Sequence, residues 1–113
     1  MAKSKNIVED KIKFFINELE KHVNVETVVL FGSWVKGSAD KFSDIDLAIF
    51  SPDFGKQRLK EAQLLSKVAW NVDTAIEAIP YSVDELKCED PASFVYHIKK
   101  NGEVVFNKSK QKI

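Results

Sequence analysis

The feature that most constrains the fold of this chain is its alternation: a stripe of helical period gives way to a short β-branched run, and the pattern then repeats. Val8, Ile12, Phe15, Leu19 and Val23 recur at spacings of four, three, four and four, which makes one apolar stripe on a helix over residues 4–22. Residues 25–31 are apolar and β-branched and read as a buried strand. Gly32-Ser33 breaks it, a short helix begins at Ser33 or Trp34, and 37–43 form a loop. Residues 44–50 read as a second strand, ended by Ser51-Pro52-Asp53. A second long helix covers 56–70, with Leu59, Leu64, Leu65, Val68 and Ala69 as its apolar positions. A third strand is expected over 74–79, stopped by Pro80. Ser82-Val83-Asp84-Glu85 spells a capping box. Asp90-Pro91 pairs a good N-cap with a good first helical residue and is expected to open a last helix, closed by Asn101-Gly102. A strand over 103–106 follows. The order α-β-α-β-α-β-α-α-β predicts an α/β (α+β) fold, a small mixed sheet of three or four strands packed against helices. Phe14, Trp34, Trp70, Phe94 and Tyr96 are expected in the core or at an interface, and the polar tail 107–113 is expected to fray.

A chain of 113 residues fits one domain, 1–113. Lys plus Arg and Asp plus Glu both number 17, so the chain has no global field to draw in nucleic acid. The lone Cys88 has no partner for an internal disulfide and reads as incidental. No run approaches the roughly 20 apolar residues of a membrane span, and the first ten residues carry no signal-peptide pattern. These features together give the expectation of a cytoplasmic protein without a membrane partner. His22 and His97 read as structural.

The chemistry concentrates in one stretch. On a strand, alternate residues share a face, so Asp44 and Asp46 project together while Ile45 and Leu47 point into the core. Two carboxylates so placed repel unless a cation sits between them, and Mg²⁺ prefers such hard oxygen ligands. The strand beyond Asp46 is almost wholly apolar, and paired acids at its mouth are costly without a partner. Gly32-Ser33, between a strand and a helix, offers outward amides and a hydroxyl to an anion. The pattern is neither a Walker A loop nor a dinucleotide fingerprint, whose glycine spacings are absent.

Taken together, Gly32-Ser33, ten residues and Asp44-Ile45-Asp46 resemble the nucleotidyltransferase superfamily that includes polymerase β and the aminoglycoside nucleotidyltransferases. Gly37 and the Ser43-Asp44-Ile45-Asp46-Leu47 string fall where that family's residues lie, and the likeness extends over 28–106. Lys36 stands where family members often carry Arg, which keeps the charge and loses the planar fork; a phosphate contact and a solvated helix residue remain equal readings for it. The resemblance implies a nucleotidyltransferase fold and a third carboxylate on another strand. Glu77, in Ile76-Glu77-Ala78-Ile79-Pro80, is the preferred candidate and Asp73 the other. It further implies Asp44, Asp46 and Glu77 as catalytic and metal-holding groups, and Gly32 and Ser33 as nucleotide-binding ones. Two Mg²⁺ ions about 3.5–4 Å apart would act on a nucleoside triphosphate, ATP by expectation. The minimal, stand-alone members are often antitoxins that transfer AMP from ATP to a tyrosine of an all-helical HEPN-class toxin, and that role is the leading expectation. Two rivals are nucleotide transfer to an aminoglycoside-like small molecule and a catalytically silent module that covers a partner. A homo-oligomer is compatible with each.

Overall fold

The computed structural model describes residues 5–37, 39 and 43–108. The elements are α1 (Lys5–Leu19), β1 (Thr27–Phe31), α2 (Ser33–Lys36), β2 (Ile45–Ser51), α3 (Arg58–Val72), β3 (Ile76–Ser82), a 3₁₀ turn (Val83–Lys87), α4 (Phe94–Asn101) and β4 (Glu103–Asn107). The sheet order is β3-β2-β1-β4. β1 runs antiparallel to both β2 and β4, while β2 and β3 are parallel and need α3 as their crossover. The order and the mixed sheet of four strands match the sequence-based expectation.

The two faces of the sheet have different covers. Val28 and Leu30 of β1 and Ile45, Leu47 and Ile49 of β2 join Val8, Ile12, Phe15 and Leu19 of α1 and Leu65, Val68 and Ala69 of α3 in the main core. On the other face, Val29, Ala48, Phe50 and Tyr81 pack under Val95 and Ile98 of α4. Phe50 and Tyr81 stack there at 5.4 Å between ring centroids. β2 is thus buried on both faces, which is why its sequence is an unbroken apolar run after Asp46. The second face is only partly roofed: Asp44 and Glu77 are exposed, and Phe31 and Asp46 are half-buried.

Several boundaries and side chains depart from expectation. β3 does not stop at Pro80 but runs through it to Ser82. It is an edge strand bonded only to β2, and a missing N–H is tolerated at an edge. The last helix begins at Phe94, not at Asp90-Pro91. Asp90 instead closes a turn, accepting from the Ala92 N–H through its side chain and from the Ser93 N–H through its carbonyl. Phe14, Trp70 and Phe94 lie in solvent rather than in the core, and so does Leu59; each is beside, not on, the buried stripe of its helix. Trp34 and Tyr96 are half-buried. Asn107 belongs to β4, and the Lys108 N–H donates to the Glu26 carbonyl. The remainder of the tail, 109–113, lies outside the described residues, as do 38 and 40–42 of the expected loop.

Candidate active site

β1 delivers the chain to Gly32, whose φ of 80° and ψ of −146° suit glycine and strain any other residue. A Cβ placed there would overlap Oδ2 of Asp46 and sit 3.3 Å from its Cγ. The glycine therefore serves both the turn and the approach of a carboxylate. α2 is a single turn: the Val35 and Lys36 N–H groups return to the Gly32 carbonyl, and Gly37, at φ 81°, ends it by donating to the Ser33 carbonyl. Ser33 is half-buried at its start and Lys36 is exposed at its end.

The carboxylates come together across two strands. Asp46 and Glu77 are register partners in the parallel β2–β3 pair, so they stand side by side on one face. Asp44, just before β2, lies close enough that its charge raises the pKa of both. Burial is the first cause pushing the Asp46 carboxyl up, repulsion from Asp44 the second, and a hydrogen bond with Glu77 partly offsets them. Glu77 is raised by burial, by Asp44, by Asp46 and by that same hydrogen bond. Side by side and close to Asp44, the two acids are costly to ionise together. Among the described residues, no lysine or arginine forms an ion pair with any of the three.

Asp73 is elsewhere. It caps the end of α3, accepts from the Ala75 N–H at 2.8 Å and pairs with Lys11 of α1. The structure therefore brings Glu77, and not Asp73, beside Asp44 and Asp46. His22 is exposed beyond the end of α1, and His97 Nε2 shares a hydrogen bond with the Pro91 carbonyl at 2.8 Å. Half-buried Cys88 offers its carbonyl to Lys99. None of these three joins the cluster.

The sequence reading did not single out Phe31. It is the register partner of Asp46 on the side opposite Glu77, so the row across the sheet reads Glu77, Asp46, Phe31. Phe31 ends β1 just before Gly32, but neither the antiparallel pairing with β2 nor its register can be read along the sequence. The donor set is oxygen only, which suits a hard divalent cation. Among the described residues, no group of three or more His, Cys, Asp or Glu is placed so that it could hold a metal ion as it stands.

Residues 13–111 match the family described as Polymerase beta, Nucleotidyltransferase, a span that takes in the sheet and every residue of the cluster. The chain belongs to this nucleotidyltransferase family. A curated relative, the "Probable protein adenylyltransferase MntA" of Haemophilus influenzae, is 48% identical over 59 residues, 49% of this chain and 52% of that protein. The match thus spans about half the length of that relative. Among solved structures, a candidate nucleotidyltransferase from Sulfolobus solfataricus aligns over 97% of this chain and 95% of its own, with a TM-score of 0.64 at 19% identity. A toxin–antitoxin structure with AMP-PNP aligns over 91% and 76%, with a TM-score of 0.57 at 23% identity. A mutant MntA–HpeT toxin–antitoxin structure aligns over 91% and 75%, with a TM-score of 0.54 at 20% identity. At these identities the structural likeness is one of fold, and the fold is that of a nucleotidyltransferase. Among the described residues, no helix is long and apolar enough to cross a membrane.

Proposed function

We propose that this protein is a metal-dependent nucleotidyltransferase that moves AMP from ATP onto a protein acceptor, as the antitoxin of a pair whose toxin is a HEPN-class helical protein. One observation carries the catalytic part. The Asp46 carboxylate lies against Gly32 on one side and stands in register beside Glu77 on the other. The bend and the row of acids are therefore neighbours, which supports reading them as one site for a phosphate and its cation. The relative named as a protein adenylyltransferase supports AMP as the transferred group and a protein as the acceptor. The fold shared with toxin–antitoxin structures supports the partner class.

Asp44, Asp46 and Glu77 would hold divalent cations, Mg²⁺ by their oxygen chemistry; two such ions would supply charge neutralisation at the α-phosphate and a more acidic acceptor hydroxyl. The chain's own contribution is position. The Gly32-Ser33 backbone and the Ser33 hydroxyl hold the distal phosphates, and Asp44 and Asp46 would position the α-phosphate at the strand mouth through the cations they hold. The acceptor oxygen bonds to the α-phosphorus as the bond to the bridging oxygen breaks, and pyrophosphate departs along Gly32-Ser33. Glu77, with its raised proton affinity, is suited in its ionised form to take the hydroxyl proton.

The test is transfer of label from α-labelled ATP, with Mg²⁺, onto a HEPN-type protein encoded beside this chain. Label on the partner, reduced about a hundredfold or more in Asp44→Asn and Asp46→Asn, is the expected result. Label on a small hydroxylated acceptor without the partner would favour the aminoglycoside-like rival. Unimpaired inhibition of the partner by both variants, without transfer, would favour the silent module.

A further inference from the structure

Past Asp46, on the side away from Glu77, the half-covered face of the sheet continues into a groove of about 290 Å³. Phe31, Gly32 and Lys36 form one wall, and Phe94, His97 and Asn101 of α4 form the other. The groove adjoins the row of carboxylates, because Phe31 in its wall is the register partner of Asp46. Phe94 is 59% exposed and meets Phe31 edge to face, with centroids 5.9 Å apart and planes at 83°. The large exposed aromatic rings among the described residues are Phe14, Trp70 and Phe94. Phe14 and Trp70 belong to α1 and α3, which cover the opposite face. Of the three, Phe94 alone lies on the face that carries the acids, against Phe31, with more than half of its surface left open. His97 is engaged with the Pro91 carbonyl, whereas Lys36 and Asn101 have no partner among the described residues.

We propose that this groove seats the nucleobase of the donor triphosphate, with Phe94 as its stacking face and Asn101 as a hydrogen-bonding group at its edge. The inference rests on the reading of the site as a nucleotidyltransferase centre and names the part of the substrate that the acids do not touch. Base and α-phosphate are separated by one ribose, so a base whose phosphate lies at Asp46 lands within a side chain's length of it, which is where the groove opens. The cation of Lys36 on the same wall complements the charge of the attached phosphates. An acceptor side chain is the poorer occupant. In-line displacement brings the attacking oxygen in opposite the departing pyrophosphate, and Gly32, where the pyrophosphate leaves, is itself part of the groove wall.

Calorimetric titration with ATP and with inorganic tripolyphosphate, each with Mg²⁺, separates the base from the phosphates. Phe94→Ala should weaken ATP about tenfold, the scale of a lost base–aromatic stack, and leave tripolyphosphate unchanged. Phe94→Trp should keep ATP affinity. A melting temperature for Phe94→Ala equal to wild type excludes a folding defect. Unchanged ATP binding in Phe94→Ala overturns the inference, and if transfer to the partner falls in that variant the groove belongs to the acceptor. Equal losses of ATP and tripolyphosphate also overturn it, since the effect then lies at the phosphate end. Failure of the wild type to bind even tripolyphosphate sinks the underlying reading, an outcome distinct from a failure of the base site alone.

Discussion

Asp46 is held where a carboxylate least wants to be: partly buried, beside Asp44, in register with Glu77 and against Gly32. Its raised pKa has a stability consequence whose sign is fixed. The group binds its proton more tightly folded than unfolded, so its contribution is full below the unfolded value near 3.8 and is lost as pH rises through the folded one. Without divalent cation, Asp46→Asn should therefore gain melting temperature over wild type as pH rises from 4 to 7. Mg²⁺ should raise the melting temperature of wild type and not of the variant; a variant that matches wild type in both scans would count against the electrostatic account. The glycines allow a paired measurement. At Gly37 a Cβ would meet nothing within 4 Å, so Gly37→Ala pays only for the positive φ, about 1 kcal/mol. Gly32→Ala adds overlap with Asp46 to the same strain. It should cost at least about 1–3 kcal/mol by denaturant unfolding and remove transfer activity, whereas Gly37→Ala keeps it.

At the scale of elements, two side chains secure what the backbone leaves open. α3 starts at Arg58, two residues after the expected boundary at 56, and Glu61 in its first turn reaches back over the preceding residues. Its carboxylate accepts from the N–H groups of Gly55, Lys56 and Gln57 at 3.0–3.2 Å. Slight burial pushes this carboxyl up, but the three N–H donors and the Arg58 charge outweigh it and leave the pKa below 4.5. A depressed folded value means stability present above 4.5 and lost as pH falls through the folded pKa. Glu61→Ala should cost about 1 kcal/mol at neutral pH, a difference from wild type that shrinks in acid, as urea melts at both pH values would show. On the other face, Lys99 donates to the carbonyls of Leu86 and Cys88, both at 2.6 Å, and ties α4 to the 3₁₀ turn. Lys99→Met keeps the stem and removes the ammonium, leaving two carbonyls unpaired. A loss of about 1–3 kcal/mol is expected, with faster amide exchange in the 3₁₀ turn and α4 than in α1.

For the whole molecule, periodicity carried most of the architecture. The α1 stripe of Val8, Ile12, Phe15 and Leu19 could be read directly, because a helix that faces one core repeats that core every three to four residues. The Ser82–Glu85 capping box was legible for a similar reason: both hydrogen bonds close within four residues. Where local patterns compete with tertiary position, the reading failed. Pro80 terminates a central strand but passes at the edge of this sheet, and Asp90-Pro91 makes a turn where it could equally have opened a helix. What the sequence alone determined is the succession of elements and the placement of Gly32, Ser33, Asp44 and Asp46 at the junctions of one hairpin, since all of these follow from neighbours in the chain. What only the tertiary structure decided is which distant groups meet them. Glu77 stands beside Asp46, while Asp73 is drawn off to Lys11, and Phe31 and Phe94 form the opposite flank. Those choices depend on strand register and on which face each helix covers, and both are settled by packing across the sheet rather than by spacing along it.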